Sequence, residues 1–183
     1  RKVVNSIISQ VDSITMSAVL ATIASQTTAG GVWSTSTTAV PLKAILTAKA
    51  AIVGRNLGYN PDTIVTNDTQ YMQLMTDTGL AALLRRETTD SPVYTGEIDR
   101  IAGMQIIVSP TIPAGQAIVL DSTQLGGMAD EMDGAPGYAV ADLAVQTKAI
   151  RLDGNDAWDL QGRRKTVPVV QETGAAQLIN SIT

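Results

Sequence analysis

Histidine, cysteine and phenylalanine are missing from all 183 residues. With them go the thiolate nucleophile, the Cys/His zinc site and the imidazole base of most acid–base catalysis. Any disulfide framework is excluded too. Carboxylate or lysine chemistry is what remains open to an enzyme. Basic residues number 13 against 17 acidic ones, a formal charge of -4. That is the wrong sign for a dedicated nucleic-acid reader, whose surface is strongly basic, but not for the wall of a container that merely faces nucleic acid. No uninterrupted apolar run approaches the roughly 18 residues of a membrane-crossing helix, and no signal peptide is visible. No membrane partner is expected. The chain opens on Arg1, not Met, so residues upstream of it are expected.

What is present suits a sizeable core: 44% of residues are hydrophobic, enough for one domain or two intimate lobes. Val4, Ile7, Ile8, Val11, Ile14 and Ala18 recur at three- and four-residue steps, predicting a long helix in the first 25 residues, with Asn5, Ser9, Asp12 and Ser13 opposite. "SQTTAGGVWSTSTTAVP", residues 25–41, reads as a loop. Its small uncharged neighbours make Trp33 an anchor for that loop in preference to a ligand-stacking residue. Pro41 opens a second helix striped by Leu42, Ile45, Leu46, Ile52 and Val53, which stops at Gly58, Asn60 and Pro61. "TIVTND" is a short strand leading to a third helix that carries Tyr71, Leu74 and Met75. Asn67 or Asp68 caps it, and Gln70 is placed for a reciprocal cap.

From Arg85 the chain turns polar in "RRETTDSPVYTGEI". "DRIAGMQIIVS" returns to strand, with a bend or bulge at Gly103. "PTIPAGQ" reverses direction, and "AIVLDS" is a second buried strand. "GGMADEMDGAPG" predicts a loop at an edge or tip. In the tail, two extended stretches flanking Asp153 and Gly154 are one reading, and a short helix over part of it is the other. Val167, Val169 and Val170 then precede a small polar turn in "QETGAAQLINSIT".

Candidate chemistry is sparse. Asp130, Glu131 and Asp133 offer hard oxygen ligands, but their spacing matches no calcium loop. They read as a solvated or subunit-facing acidic tip. "DGNDAWD" at 153–159 resembles an ion loop until Arg164 falls where a bidentate Glu is wanted, so a β-turn is the better reading. "GRNLGYN" and "QLGGM" carry neither a dinucleotide fingerprint nor a phosphate loop. Arg163, Arg164 and Lys165 could reach phosphates. Carboxylates of the same or a neighbouring chain suit them better as ion-pair or interface partners. No catalytic residue, metal ligand or cofactor is assigned.

Taken in order, four segments carry a resemblance: "VVNSIISQVDSITMSAVL", "LKAILTAKAAIVGRNLGYNPDTIVTNDTQYMQLM", "IAGMQIIVSPTIPAGQAIVLDSTQLG" and "AIRLDGNDAWDLQGRRKTVPVVQETGAAQLIN". The chain resembles the major capsid protein of tailed bacteriophages, whose fold the encapsulin shell proteins share. The resemblance implies an α+β, phage-capsid-like fold. An axial α/β domain would span 42–137. A peripheral domain would combine the spine helix and following loop, 1–41, with returning antiparallel strands, 138–183. An N-terminal arm and extended loop would lie upstream. Ile106, Ile107, Val108, Ile118, Val119 and Leu120 would form the axial strand core, and the loop with Asp130, Glu131 and Asp133 would approach pentamer and hexamer axes.

The function so implied is a non-enzymatic subunit of an icosahedral or prolate capsid around double-stranded DNA that it does not specifically recognise. Scaffolding, portal or cement proteins would be partners, the virion its location, and the host cytoplasm its place of assembly. No Lys–Asn cross-link is carried over. The alternatives are an encapsulin-like protein-cargo shell, a carboxylate-based enzyme with two acids about 5 to 10 Å apart, and a soluble binding module with an exposed pocket or patch.

Overall fold

"TIVT" and "AIVL", two short apolar runs that the sequence marks as strands, are buried at every position. In the computed structural model, which describes residues 2–35, 40–83, 98–131, 136–140 and 144–182, they lie side by side at the centre of a six-stranded sheet. In chain order the elements are α1 (Lys2–Thr22), β1 (Gln26–Thr28), α2 (Val40–Val53), β2 (Thr63–Thr66), α3 (Asp68–Thr76), α4 (Thr78–Leu83), β3 (Arg100–Ile101), β4 (Met104–Val108), β5 (Ala117–Leu120), β6 (Gly126–Asp130), β7 (Ala139–Val140), β8 (Gln146–Leu152), β9 (Ala157–Arg163), β10 (Thr166–Val170) and β11 (Ala176–Asn180). They fall into two units: residues 19–126 with 170–183, and residues 1–18 with 127–169. These divisions lie elsewhere than 41/42 and 137/138. β1 and β11 are strands of the large sheet, which draws 19–41 and the last residues into the first unit.

In that first unit the sheet order is β1-β11-β5-β2-β4-β3. β5 runs antiparallel to both β11 and β2, and β4 lies parallel to β2. The segment expected as a closing polar turn is thus a central strand. Its hydrophobic signal is only Leu178 and Ile179 between polar neighbours, too little to mark a strand that tertiary pairing buries. Residues opposite one another point to the same face. Ile64, Val119 and Ile179 share the face whose core includes Ile45, Ala48 and Ile52 of α2, with Trp33 and Met104 in the same cluster.

The row Leu178, Ile118, Val65, Ile107 runs across the other face. Its first three members are buried, but Ile107 is 45% exposed and Val108 39%. The expectation that all three residues from 106 to 108 bury is corrected. β4 lies near the sheet's margin, where β3 pairs only with Met104 and Gln105, and only Ile106 packs partly against the core.

Local chemistry explains the ends of these elements. Asn67 caps α3, its side chain accepting from the Thr69 N–H at 3.0 Å. Gln70 does not close a reciprocal cap. It shares the inward helix face with Leu74, is fully buried, and neither side-chain polar atom has a partner among the described residues. Asp77 accepts from Leu80 N at 3.0 Å and starts α4, an element not anticipated from the sequence. At Ala102 and Gly103 the expected bend is a two-residue hairpin turn between the paired Ile101 and Met104. Both central residues have positive φ, 53° and 81°, as a type I′ turn requires. Lys49 Nζ donates to the Ala102 carbonyl at 2.8 Å.

The second unit holds α1 to Ala18 with the antiparallel β7-β8-β9 sheet and most of the β6-β10 pair. β8 and β9 pair over seven residues each, from Gln146↔Arg163 to Leu152↔Ala157. Their turn ends at Asp156, whose φ is 47°, and Arg151 reaches Asp153 at 2.9 Å. β6 replaces part of the expected 122–138 loop. Its glycines carry no strand preference, but the β-branched "TVPVV" of β10 supplies a partner. α1 is long and apolar enough to satisfy the length and composition of a membrane span. Asn5, Ser9, Gln10, Asp12 and Ser13 interrupt it, and an acid near a span's centre costs about 2.5 to 3.5 kcal/mol, so amphipathic packing fits it better.

The turn yields a test. Ala102→Val, with a β-branched residue at positive φ, should cost about 1 to 2 kcal/mol in urea unfolding, whereas Ala102→Asn should be neutral or stabilising. Equal effects would contradict the turn assignment.

Candidate functional site

The two units differ sharply in what they bury. The sheet-bearing unit has an extensive apolar cluster. In the helix-and-hairpin unit the buried apolar side chains among the described residues are Val11 and Val145. Its apolar residues face outward instead: Trp158 and Leu160 are each 64% exposed, Val167 61% and Ile14 57%, with Val3, Val140, Leu152 and Val169 also exposed. Such a surface marks an interaction site.

The strand period sorts β9 into two faces. Trp158, Leu160 and Gly162 lie on one. A Cβ at Gly162 would stand 2.7 Å from Ile7 Cδ1 and 2.8 Å from Val3 Cγ1, so α1 crosses the hairpin where a side chain is missing. Asp159, Gln161 and Arg163 lie on the other. There the Arg163 guanidinium carbon sits 4.3 Å from the Tyr138 ring centroid and Lys148 Nζ 5.6 Å from it. Arg163 Nε donates to Gln146 Oε1 at 2.9 Å, and Tyr138 donates to Gln161 Oε1 at 3.1 Å.

The other charged residues singled out in the sequence also find partners within the chain. Arg164 grips Asp130 with two hydrogen bonds, Nε to Oδ1 at 3.0 Å and Nη2 to Oδ2 at 2.8 Å. That bond holds the Asp130 carboxyl below its ordinary range and raises the Arg164 guanidinium. Lys165 reaches Glu131 at 2.7 Å. Asp130 ends β6, and Glu131 N donates to the Lys165 carbonyl, so strand pairing holds both acids in the helix-and-hairpin unit. This corrects their expected place in a loop, since Asp130 belongs to a paired strand; Asp133 lies outside the described residues. Trp33 is 1% exposed and its backbone N–H donates to the Ile182 carbonyl at 3.0 Å. Ile118, Val119 and Leu120 are buried. The alternating pattern of "AWDLQGR" was the available signal for Trp158 and Leu160, which sequence reasoning did not select.

Two acids do approach one another, Asp62 and Asp121, and their hydrogen bonds make them a clasp between loops. Asp62 accepts from Ser122 N at 2.9 Å and from its hydroxyl at 2.6 Å. Asp121 accepts from Asn60 N at 2.8 Å and from Thr123 N and Oγ1 at 3.0 and 2.7 Å. Burial pushes both carboxyls up, but the donors from Ser122 and Thr63, and from Thr123, Asn60 and Gln124, outweigh it and hold both below the ordinary value. An open cleft of about 560 Å³ near β3 is lined by Tyr71, Ile98, Asp99, Arg100, Gln105, Ile106 and Val108; among the described residues that line it, Asp99 is the one acid. Among the described residues no group of three or more acids could hold a metal ion.

The architecture is that of known shell-forming chains. A virus-like particle from Pyrococcus furiosus is similar over 94% of this chain and 63% of its own, at 14% identity and a TM-score of 0.63. A chain from Mycobacterium phage Che8 is similar over 97% and 60%, at 13% identity and 0.72. The capsid of Cyanophage P-SCSP1u is similar over 85% and 53%, at 13% identity and 0.54. At these identities the likeness establishes the fold alone, one shared with a virus-like particle and a phage capsid, and the chain spans 63% and 60% of the first two. A family model described as Phage capsid protein matches residues 1–179, and the chain belongs to that family. No curated protein matches it.

The clasp is testable by acid. Asp121→Ala orphans the Asn60 and Thr123 donors and should cost about 1 to 3 kcal/mol at pH 7. A depressed carboxyl contributes stability above its unfolded value, ordinarily 3.8, and loses it as pH falls toward the folded value. The penalty measured by urea unfolding should therefore shrink below about pH 4; one unchanged from pH 7 to pH 3 would contradict the clasp.

Proposed function

We propose that this chain is a structural subunit of an icosahedral or prolate phage capsid, self-assembling as pentamers and hexamers around double-stranded DNA. The observation that carries the reading is the helix-and-hairpin unit's exposed Trp158, Leu160 and Val167 with only Val11 and Val145 buried among its described apolar residues. Such a unit gains its apolar burial from other molecules, and closed symmetry multiplies modest contacts over many copies. Family membership supports the same assignment. On this reading the sheet-bearing unit takes the axial place and the helix-and-hairpin unit the peripheral one.

Specific DNA recognition is not part of the proposal. The formal charge is -4, and Arg163, Arg164 and Lys165 are engaged by Tyr138 and Gln146, by Asp130 and by Glu131. Packaged DNA would be ordered mainly by its own packing. Scaffolding, portal or cement proteins would be further partners, with the virion as destination and the host cytoplasm as assembly site.

Electron microscopy with mass determination on the expressed protein tests the proposal. Closed shells, or free hexamers and pentamers, are the expected result. Shells filled with protein cargo would favour the encapsulin-like alternative, and a monomer at every salt and pH, with scaffold supplied, would contradict shell formation.

A further inference from the structure

Natural sheets blunt their edges with short strands, proline, lysine or bulges, because an unpaired edge is a template for another chain. The large sheet follows this rule: its margins are β1, three residues, and β3, two. β9 does not. It is seven residues long, carries neither proline nor lysine, and ends its sheet with no strand beyond it among the described residues. Trp158 and Leu160 are its most exposed apolar side chains.

We infer that β9 is a self-complementary edge at which two copies of the chain pair antiparallel about Gln161. This rests on the shell reading for why copies meet, and it names one surface they use. The charge pattern selects the register. Centred on Gln161, a two-fold sets Asp159 opposite the second copy's Arg163, and that copy's Asp159 opposite Arg163, so both charges on the strand are matched. Parallel pairing in register would place Asp159 against Asp159 and Arg163 against Arg163, a repulsive arrangement. Centring on Leu160 would leave Asp159 facing Gln161 and Arg163 facing Ala157.

Both side chains keep hydrogen-bonding groups for these contacts beyond those they already use. Arg163 spends Nε on Gln146, and its terminal nitrogens have no hydrogen-bond partner among the described residues. Asp159 is exposed and, among the described residues, accepts from Gln161 Nε2 alone, on Oδ2 at 2.9 Å. On the other face the register seats Leu160 beside the second copy's Gly162. There Val3 and Ile7 of that copy's α1 come down on bare backbone, giving an exposed leucine an apolar flank.

The absence of cysteine makes the register directly readable. Gln161→Cys and Asp159→Cys are substitutions at exposed positions, checked for folding by circular dichroism, then oxidised mildly after assembly and run on a non-reducing gel. Directly opposed residues lie about 4.5 to 5.5 Å apart between Cβ atoms, whereas residue 159 would lie four positions, about 13 Å, from its own copy. Gln161→Cys should give covalent dimers at least tenfold more efficiently than Asp159→Cys, and the double variant Asp159→Cys with Arg163→Cys should recover them.

Equal yields at 159 and 161 would overturn the register. A Gln161→Cys variant whose thiol resists both disulfide formation and alkylation would mean that another strand occupies the edge, and would overturn the proposal. Shells seen by microscopy without a cross-link at position 161 would sink this inference and leave the shell reading standing. Cross-linked dimers without shells would support the edge and contradict the shell.

Discussion

β5 is buried at all four residues and hydrogen-bonds on one side to β2 and on the other to β11. Everything in the sheet-bearing unit follows from covering that strand. Its partners must themselves be apolar, hence "TIVT" and Leu178 with Ile179. α2 must lie close against one face, which Ala44 and Ala48 allow because they add little bulk between helix and sheet. The buried polar side chain on β11, Gln177, is satisfied: its amide donates to Thr27 Oγ1, and its carbonyl accepts from Arg55 beyond the end of α2. Arg55 also bonds the Gly174 carbonyl, so the helix end and the last strand are tied by the same guanidinium. Because β11 comes from the chain's final residues and pairs with β1 and β5, the sheet is completed by contacts between its extremes.

The helix-and-hairpin unit obeys a different economy. Its described strands are held by ladder bonds, by the Arg164–Asp130 fork and by a few stacked side chains, and a small sheet with so little buried apolar area is marginal by itself. Gly162 lets α1 approach, but the helix stays largely uncovered, with Val11 its one buried residue. For an isolated globular protein this would be a defect. On the shell reading proposed above, it is the form of a part completed by its neighbours.

Elements with strong local signals were legible in the sequence. The three- and four-residue apolar steps of α1, Pro41 at the start of α2, the Asn67 cap and the runs at 104–108 and 117–120 all reappear in place. What escaped was decided by partners far away in the chain. β11 is only weakly apolar, and β6 begins with two glycines; each is a strand because another strand lies beside it. Ile107 and Val108 look like core because composition does not reveal that β3 stops short of them. Similarly, the acids at 130 and 131 read as a loop tip until β10 brought Arg164 and Lys165 alongside. Of the candidate surface, the basic run was visible, whereas Trp158 and Leu160 passed as ordinary strand residues.

The central claim is that one unit carries its own core and the other acquires its burial on assembly. Amide hydrogen exchange on dispersed subunits and on assembled particles, compared residue by residue, tests it most directly. Amides of β2, β5 and β11 should be protected in both states. Those of α1, β8 and β9 should exchange rapidly in dispersed subunits and become protected in particles. Equal and strong protection of α1, β8 and β9 in the dispersed subunit would show that this unit is stable without neighbours and would contradict the account.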